Sequence, residues 1–308
     1  MHHHDHPVGA AAPGPWALIV VAMAIGALLI YVAASVRLRV RGNRWPWARD
    51  CAWALGCATV AAAAVLPAQP MFTAHMWAHL LVGMVAPLFL VVARPVTLAL
   101  RALRPGPARR TVLALAHSRY AAVVVAPPVA AVIDMGGLWL IYRTPLFAAM
   151  HEHSWLNVAV HLHVFAAGML FTTSILQLEP ARRRYGLLLR GLILFVAGAA
   201  HAVLAKTFYE WPPPGVFIEA GDRHTASQVM YYGGDLAELA LAAMLGYGWY
   251  CREGRLRARE HRRLDISLSK GRSSARVQSY GSGREQLREP GRFADTDAIV
   301  RRHRRAGS

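Results

Sequence analysis

The sequence predicts an all-α, polytopic integral membrane protein with seven transmembrane helices. Three observations predict it: a high apolar content, apolar runs of membrane-spanning length, and basic residues gathered on alternate loops. Of the 308 residues 55% are apolar. Mean hydropathy is +0.30, even though roughly the last fifty residues are strongly polar, an average that points to the membrane rather than to a soluble domain.

A bilayer core about 30 Å thick takes about 20 apolar residues in a helix, so the spans are legible directly. The first, Trp16 to Val36, carries no charge, and the second runs from Trp47 to Leu66. The third covers His75 to Ala93. The fourth, Tyr120 to Tyr142, is interrupted by Pro127-Pro128 and carries Asp134. Trp155 to Leu176, Leu187 to Phe208 and Val229 to Tyr250 complete the set. Helices are expected throughout, because an open strand leaves its backbone unsatisfied in lipid and the short alternating segments of a β-barrel are absent.

The formal charge of +17 invites a nucleic-acid reading, which the placement of the charge excludes. Of 34 lysines and arginines, 31 fall on the loops after spans one, three and five, in the first turns of the helices that follow them, or on the segment after Tyr250. This positive-inside pattern puts the amino terminus outside and the carboxyl terminus in the cytoplasm. Residues 1–15 then form an extracytoplasmic His-rich arm, 16–250 the membrane domain, and 251–308 an Arg-rich cytoplasmic tail. The tail is expected to continue the seventh helix and then become disordered, its basic residues lying against anionic lipid headgroups. No basic region precedes the first span, so that span is expected to be a retained anchor rather than a cleaved signal. Cys51, Cys57 and Cys251 form no Cys-x-x-Cys pair, so neither a disulfide framework nor a thiolate metal site is implied.

The histidines are one-sided. Twelve of fifteen map to the outer half under this topology, which calls for a function facing outward. At the start of the third span, in "MFTAHMWAHL", His75 and His79 lie one helical turn apart, with Met71 below them in the same stripe and Met76 beside it. Imidazoles with thioethers suit a soft or borderline ion such as Cu(I), whereas hard cations require oxygens. The second cluster is "MHEHSWLNVAVHLH". Its His161 and His163 are about 200° apart on a helix, so only one can face a shared site. Asn157 precedes His161 by one turn and is placed to fix its tautomer. His151, His153 and, in the sixth span, His201 add to the outer set. Asp134, Asp235 and Glu238 are acids within apolar spans. Such groups are costly at that depth and face the protein interior or a polar cavity, where each can support a histidine or pair with a basic or backbone group.

Taken together, "FTAHMWAHLLVGMVAPLFLVVARPVTLALRAL" (Phe72 to Leu103), "YRTPLFAAMHEHSWLNVAVHLHVFAAGMLF" (Tyr142 to Phe171) and "SQVMYYGGDLAEL" (Ser227 to Leu239) resemble the caa3-type CtaG family of cytochrome c oxidase assembly proteins. The resemblance implies a seven-helix protein of the bacterial plasma membrane. It also implies a role in maturing haem-copper oxidases through copper delivery, with oxidase subunits and other copper chaperones as partners. His75, His79, His161 and His163 match its motifs, with His151 or His153 beside them. No nucleophile, phosphate loop or paired-carboxylate constellation points to catalysis. Two other readings remain open, bis-histidine haem ligation and a scaffold in which the histidines are structural; a transporter using Asp134 and Asp235 would need polar residues continuing to the cytoplasmic side, and the inner halves of the spans hold almost none.

Overall fold

A computed structural model describes residues 15–66 and 71–286, apart from the side chains of 261 and 263–286. Residues 1–14 of the His-rich arm and 287–308 of the Arg-rich tail therefore lie outside it. Every described regular element is a helix.

Helix α1 spans Pro15–Val40, α2 Trp47–Ala64 and α3 Met71–Leu80. A π-helical turn, Leu81–Val85, joins α3 to α4 (Ala86–Val92). Short helices α5 (Pro95–Ala102), α6 (Pro107–Ala116) and α7 (Arg119–Val124) lead to α8 (Pro127–Arg143). Then come α9 (Leu146–Glu152), α10 (Ser154–Leu176), α11 (Leu187–Glu210) and α12 (Ala220–Gln286). Proline sets several of these starts, since its fixed φ suits the first helical turn and its missing N–H costs nothing there. Pro95, Pro107 and Pro127 each open a helix. Pro127-Pro128 therefore begins α8, where the sequence suggested a kink within one span. The segment before it is bent from α8 by 66°.

Among the described residues, four helical stretches are long and apolar enough to cross a membrane: Pro15–Val40, Met71–Ala102, Ser154–Leu176 and Leu187–Glu210. Counting Pro107–Val124 with Pro127–Arg143 as one broken span makes five. Helix α2 opens with Arg49 and Asp50, and α12 carries Asp235 and Glu238, which lowers the apolarity of both.

Cross-helix contacts fix the relative directions. Gly83 meets Gly168, Glu179 meets Val96, Asp222 meets Phe72 and Gly233 meets Leu80, so α3–α5, α10 and α12 run in parallel. The Tyr31 hydroxyl donates to the Ala93 carbonyl at 2.7 Å, while Leu38 packs with Leu98, which places α1 in the same sense. Helices α2, α8 and α11 run the other way: Asp50 meets Arg39 while Trp53 donates to Ala27, Tyr142 meets His75 while Asp134 lies by Met84, and Ala205 meets Ser227 while Gly198 meets Glu238 of α12. The seven long segments thus alternate in direction. In α1 only 11% of the most apolar window is buried, so its aliphatic surface faces outward from the bundle, as lipid exposure requires. Residues from Tyr250 onward form a separate unit, helical through Gln286.

Candidate metal-handling site

At the end of the bundle where α3 begins, the first turn of that helix is held by a distant acid. The Asp222 carboxylate accepts from the backbone N–H groups of Phe72 (2.9 Å) and Thr73 (2.8 Å) and from the Thr73 hydroxyl (2.6 Å). These are N–H groups that a helix cannot satisfy itself, and a negative charge there complements the helix dipole. The clamp fixes the rotation of α3, and with it the direction of His75 and His79.

Both histidines point into the bundle on the expected common face. Nε2 of His75 lies 3.0 Å from the Tyr142 hydroxyl on α8 and is hydrogen bonded to it. The His75 ring also lies edge-on to His161 of α10, centroids 5.7 Å apart, and to Phe147 at 5.0 Å. One turn deeper, the His79 ring faces that of His201 on α11 at 6.1 Å, nearly parallel to it. His79 is 5% exposed and His201 1%, and neither ring has a hydrogen-bond partner for either nitrogen. The Glu238 carboxylate comes closest, at 3.5 Å from Nδ1 of His201, which is an electrostatic approach rather than a hydrogen bond. Two unpartnered imidazoles at this depth are costly, since each buried polar atom forfeits its hydration without compensation.

Space lies beside these rings. A cavity of about 10 Å³ is lined by His75, His79, Tyr142 and His161. A larger one, about 30 Å³, is lined by His79, His201, Asp134, Glu238, Met84 and Met135 among others. Glycines make the room. A Cβ on Gly234 of α12 would collide with the His201 ring, and one on Gly198 of α11 with the Glu238 carboxylate. The α11–α12 contact is thus built around the imidazole and the acid.

The remaining expected residues divide. His161 donates from Nδ1 to the Asn157 backbone carbonyl at 2.9 Å, which leaves its Nε2 lone pair available. The tautomer is therefore set by the main chain of Asn157, where the sequence reading gave the task to its side chain. His151 and His153 make the same type of bond to Phe147 (2.7 Å) and Ala149 (3.2 Å), both at exposed positions. His163 points away from His161, with Gly137 of α8 making its space. Met76 is fully buried in the core with Phe72, Phe147 and Leu138, and Met71 opens α3 half-buried. Asp134 and Glu238 reach the larger cavity, and Asp235 does not line it. Among the described residues, no three His, Cys, Asp or Glu side chains stand close enough to hold a metal ion by themselves. Tyr142, Met84 and Met135 were missed from the sequence because an apolar or aromatic residue in an apolar span carries no signal beyond packing.

Fold and site define a polytopic helical membrane protein with a buried histidine cluster at one end of its bundle. Residues 29–252 match the family described as cytochrome c oxidase caa3 assembly factor, and the chain belongs to that family. It is 29% identical over 262 residues to an uncharacterized protein of Mycobacterium leprae, covering 78% of this chain and 40% of the relative. Uncharacterized proteins of Mycobacterium bovis and Mycobacterium tuberculosis are each 30% identical over 267 residues, covering 80% of this chain and 40% of theirs. The chain thus spans less than half the length of these relatives. No solved structure matches it.

Proposed function

We propose that this chain binds Cu(I) at the outer face of a bacterial plasma membrane and delivers it to cytochrome c oxidase during assembly. In this reading all seven long helical segments span the membrane, with the amino terminus outside. Support for the orientation comes from the alternating helix directions and from the end of the bundle where Arg39, Arg41, Arg49 and Arg101 gather, which is opposite the histidines. Positive charge concentrates on the cytoplasmic side.

The observation that carries the copper reading is the His79–His201 pair, buried, unpartnered and beside a cavity. A structural role would give those nitrogens hydrogen bonds, while a cargo site leaves lone pairs for the ion. Cu(I) accepts two or three soft donors, so the lack of a three-residue His/Cys/acid cluster is compatible with it. Cavities of about 10 and 30 Å³ take an ion or one or two waters, a far smaller volume than a porphyrin, which favours copper over bis-histidine haem.

The test is a competitive Cu(I) titration in detergent against a chromogenic chelator, comparing the unaltered chain with His75→Ala/His79→Ala. The unaltered chain is expected to retain Cu(I) and the double variant to lose it. Equal retention, or none in either, would overturn the copper reading and leave a scaffold for oxidase subunits.

A further inference from the structure

Resting on the copper reading, the shape of the site carries a further step. The two cavities do not share their linings except at His79, which borders both. On the outer side of that ring stand His75, Tyr142 and His161. On the inner side stand His201, Met84, Met135, Asp134 and Glu238.

We propose that the inner cavity is a second, deeper Cu(I) station. Its ligands are the imidazoles of His79 and His201 and the thioether of Met84 or Met135, and His79 is shared with an outer station formed by His75 and His161. Four features converge on it. Both imidazoles are more than nine-tenths buried and unpartnered while lining the cavity. Two thioethers line the same space, and sulfur is the donor that Cu(I) prefers over oxygen. The carboxyl groups of Asp134 and Glu238 border it, and burial favours their protonated form, so a cation entering the cavity can be balanced by their giving up protons. Gly198 and Gly234 hold open the places of Glu238 and His201, so the chamber is built into the α11–α12 packing rather than left over from it.

The outer station differs in its resting state. There Tyr142 occupies His75 Nε2, so an arriving ion displaces a hydroxyl before it binds. Movement between stations then needs only His79 to exchange one partner set for the other, with no step in which the ion is bare.

The proposal is tested on the full chain in detergent by Cu(I) stoichiometry and by X-ray absorption at the copper edge. The expected capacity is two ions, with His79 giving up its ring N–H proton to the solvent so that each of its nitrogens holds one ion. In Met84→Leu/Met135→Leu, a nearly volume-conserving change, it falls to one. In His75→Ala/His161→Ala one ion remains, with a sulfur neighbour that disappears when the two Met→Leu changes are added. If the unaltered chain holds a single ion, and the Met→Leu variant holds it equally well, the inner station is wrong while the copper reading stands. If the unaltered chain holds none, the copper reading falls and takes the station with it.

Discussion

The two ends of the bundle use the same device and then diverge. At the basic end, the buried Glu179 carboxylate, just past α10, accepts from the backbone N–H groups of Val96 and Thr97, both at 2.9 Å, and from the Thr97 hydroxyl, so capping α5. At the histidine end, Asp222 does the same for α3. Beyond the caps, side-chain pairs tie up most polar groups of the basic end, with Trp45 Nε1 and Asp50 Oδ1 buried without a hydrogen-bond partner. Arg39 pairs with Asp50 and donates to the Trp45 carbonyl, Arg49 and Arg101 lie over the Trp45 ring, Arg190 donates to Ile175 at 2.7 Å, and Gln177 accepts from Tyr185. At the histidine end none of the four ring nitrogens of His79 and His201 has a hydrogen-bond partner, and Glu238 approaches His201 Nδ1 only to 3.5 Å. Polar groups near one end of a membrane bundle can thus be largely structural, while at the opposite end the same fold leaves buried imidazoles without a hydrogen bond.

Variants that break this contrast should act in a definite order. The largest effect is expected from Gly168→Leu. A Cβ there lands on the Gly83 carbonyl of the π-helical turn, so backbone rather than a flexible side chain must yield. Overpacking of this kind costs about 3 kcal/mol or more, and the midpoint of thermal unfolding in detergent should drop accordingly, with Cu(I) binding lost as His79 and His161 separate. Next come Glu179→Ala and Asp222→Ala. Each strands two helix N–H groups and should cost about 2–3 kcal/mol. Chelator competition separates the pair: Asp222→Ala should also weaken Cu(I) binding about tenfold, or about 1.4 kcal/mol, because α3 carries His75 and His79. Glu179→Ala should leave the affinity of the folded protein unchanged, and equal losses in the two would dissolve the distinction between the ends.

A smaller effect is expected from Gly234→Ala, whose methyl meets the His201 ring. The cost should be about 1–2 kcal/mol in stability, and copper absorption spectra should show fewer nitrogen neighbours. The smallest belongs to Asn157→Ala. Since the backbone carbonyl orients His161, both stability and affinity should stay within about 0.5 kcal/mol of the unaltered chain.

Much of this was legible in the residues, for physical reasons. Apolar length marked the helices, and the four-residue spacing put His75 and His79 on one face. The 200° offset of His161 and His163 sent one toward His75 and the other toward Gly137. What stayed hidden depends on contacts between helices. Nothing local in "FVAGAAHAVL" says that His201 meets His79, and Met84 and Met135 look like any core residue. Asp222 and Glu179 lie in connecting stretches that look solvated, though each caps a helix far away in sequence. The π-helical turn is half legible: Pro87 cannot donate to the Gly83 carbonyl, which disturbs the helix locally, but the close approach of Gly83 to Gly168 lies across two helices.

The most direct test of the central claim sets two histidines against each other in one Cu(I) titration, His79→Ala beside His163→Ala. His79 borders both cavities and His163 neither. The account predicts that His79→Ala abolishes or severely weakens Cu(I) retention while His163→Ala retains it like the unaltered chain. Retention by His79→Ala equal to that of the unaltered chain would contradict it.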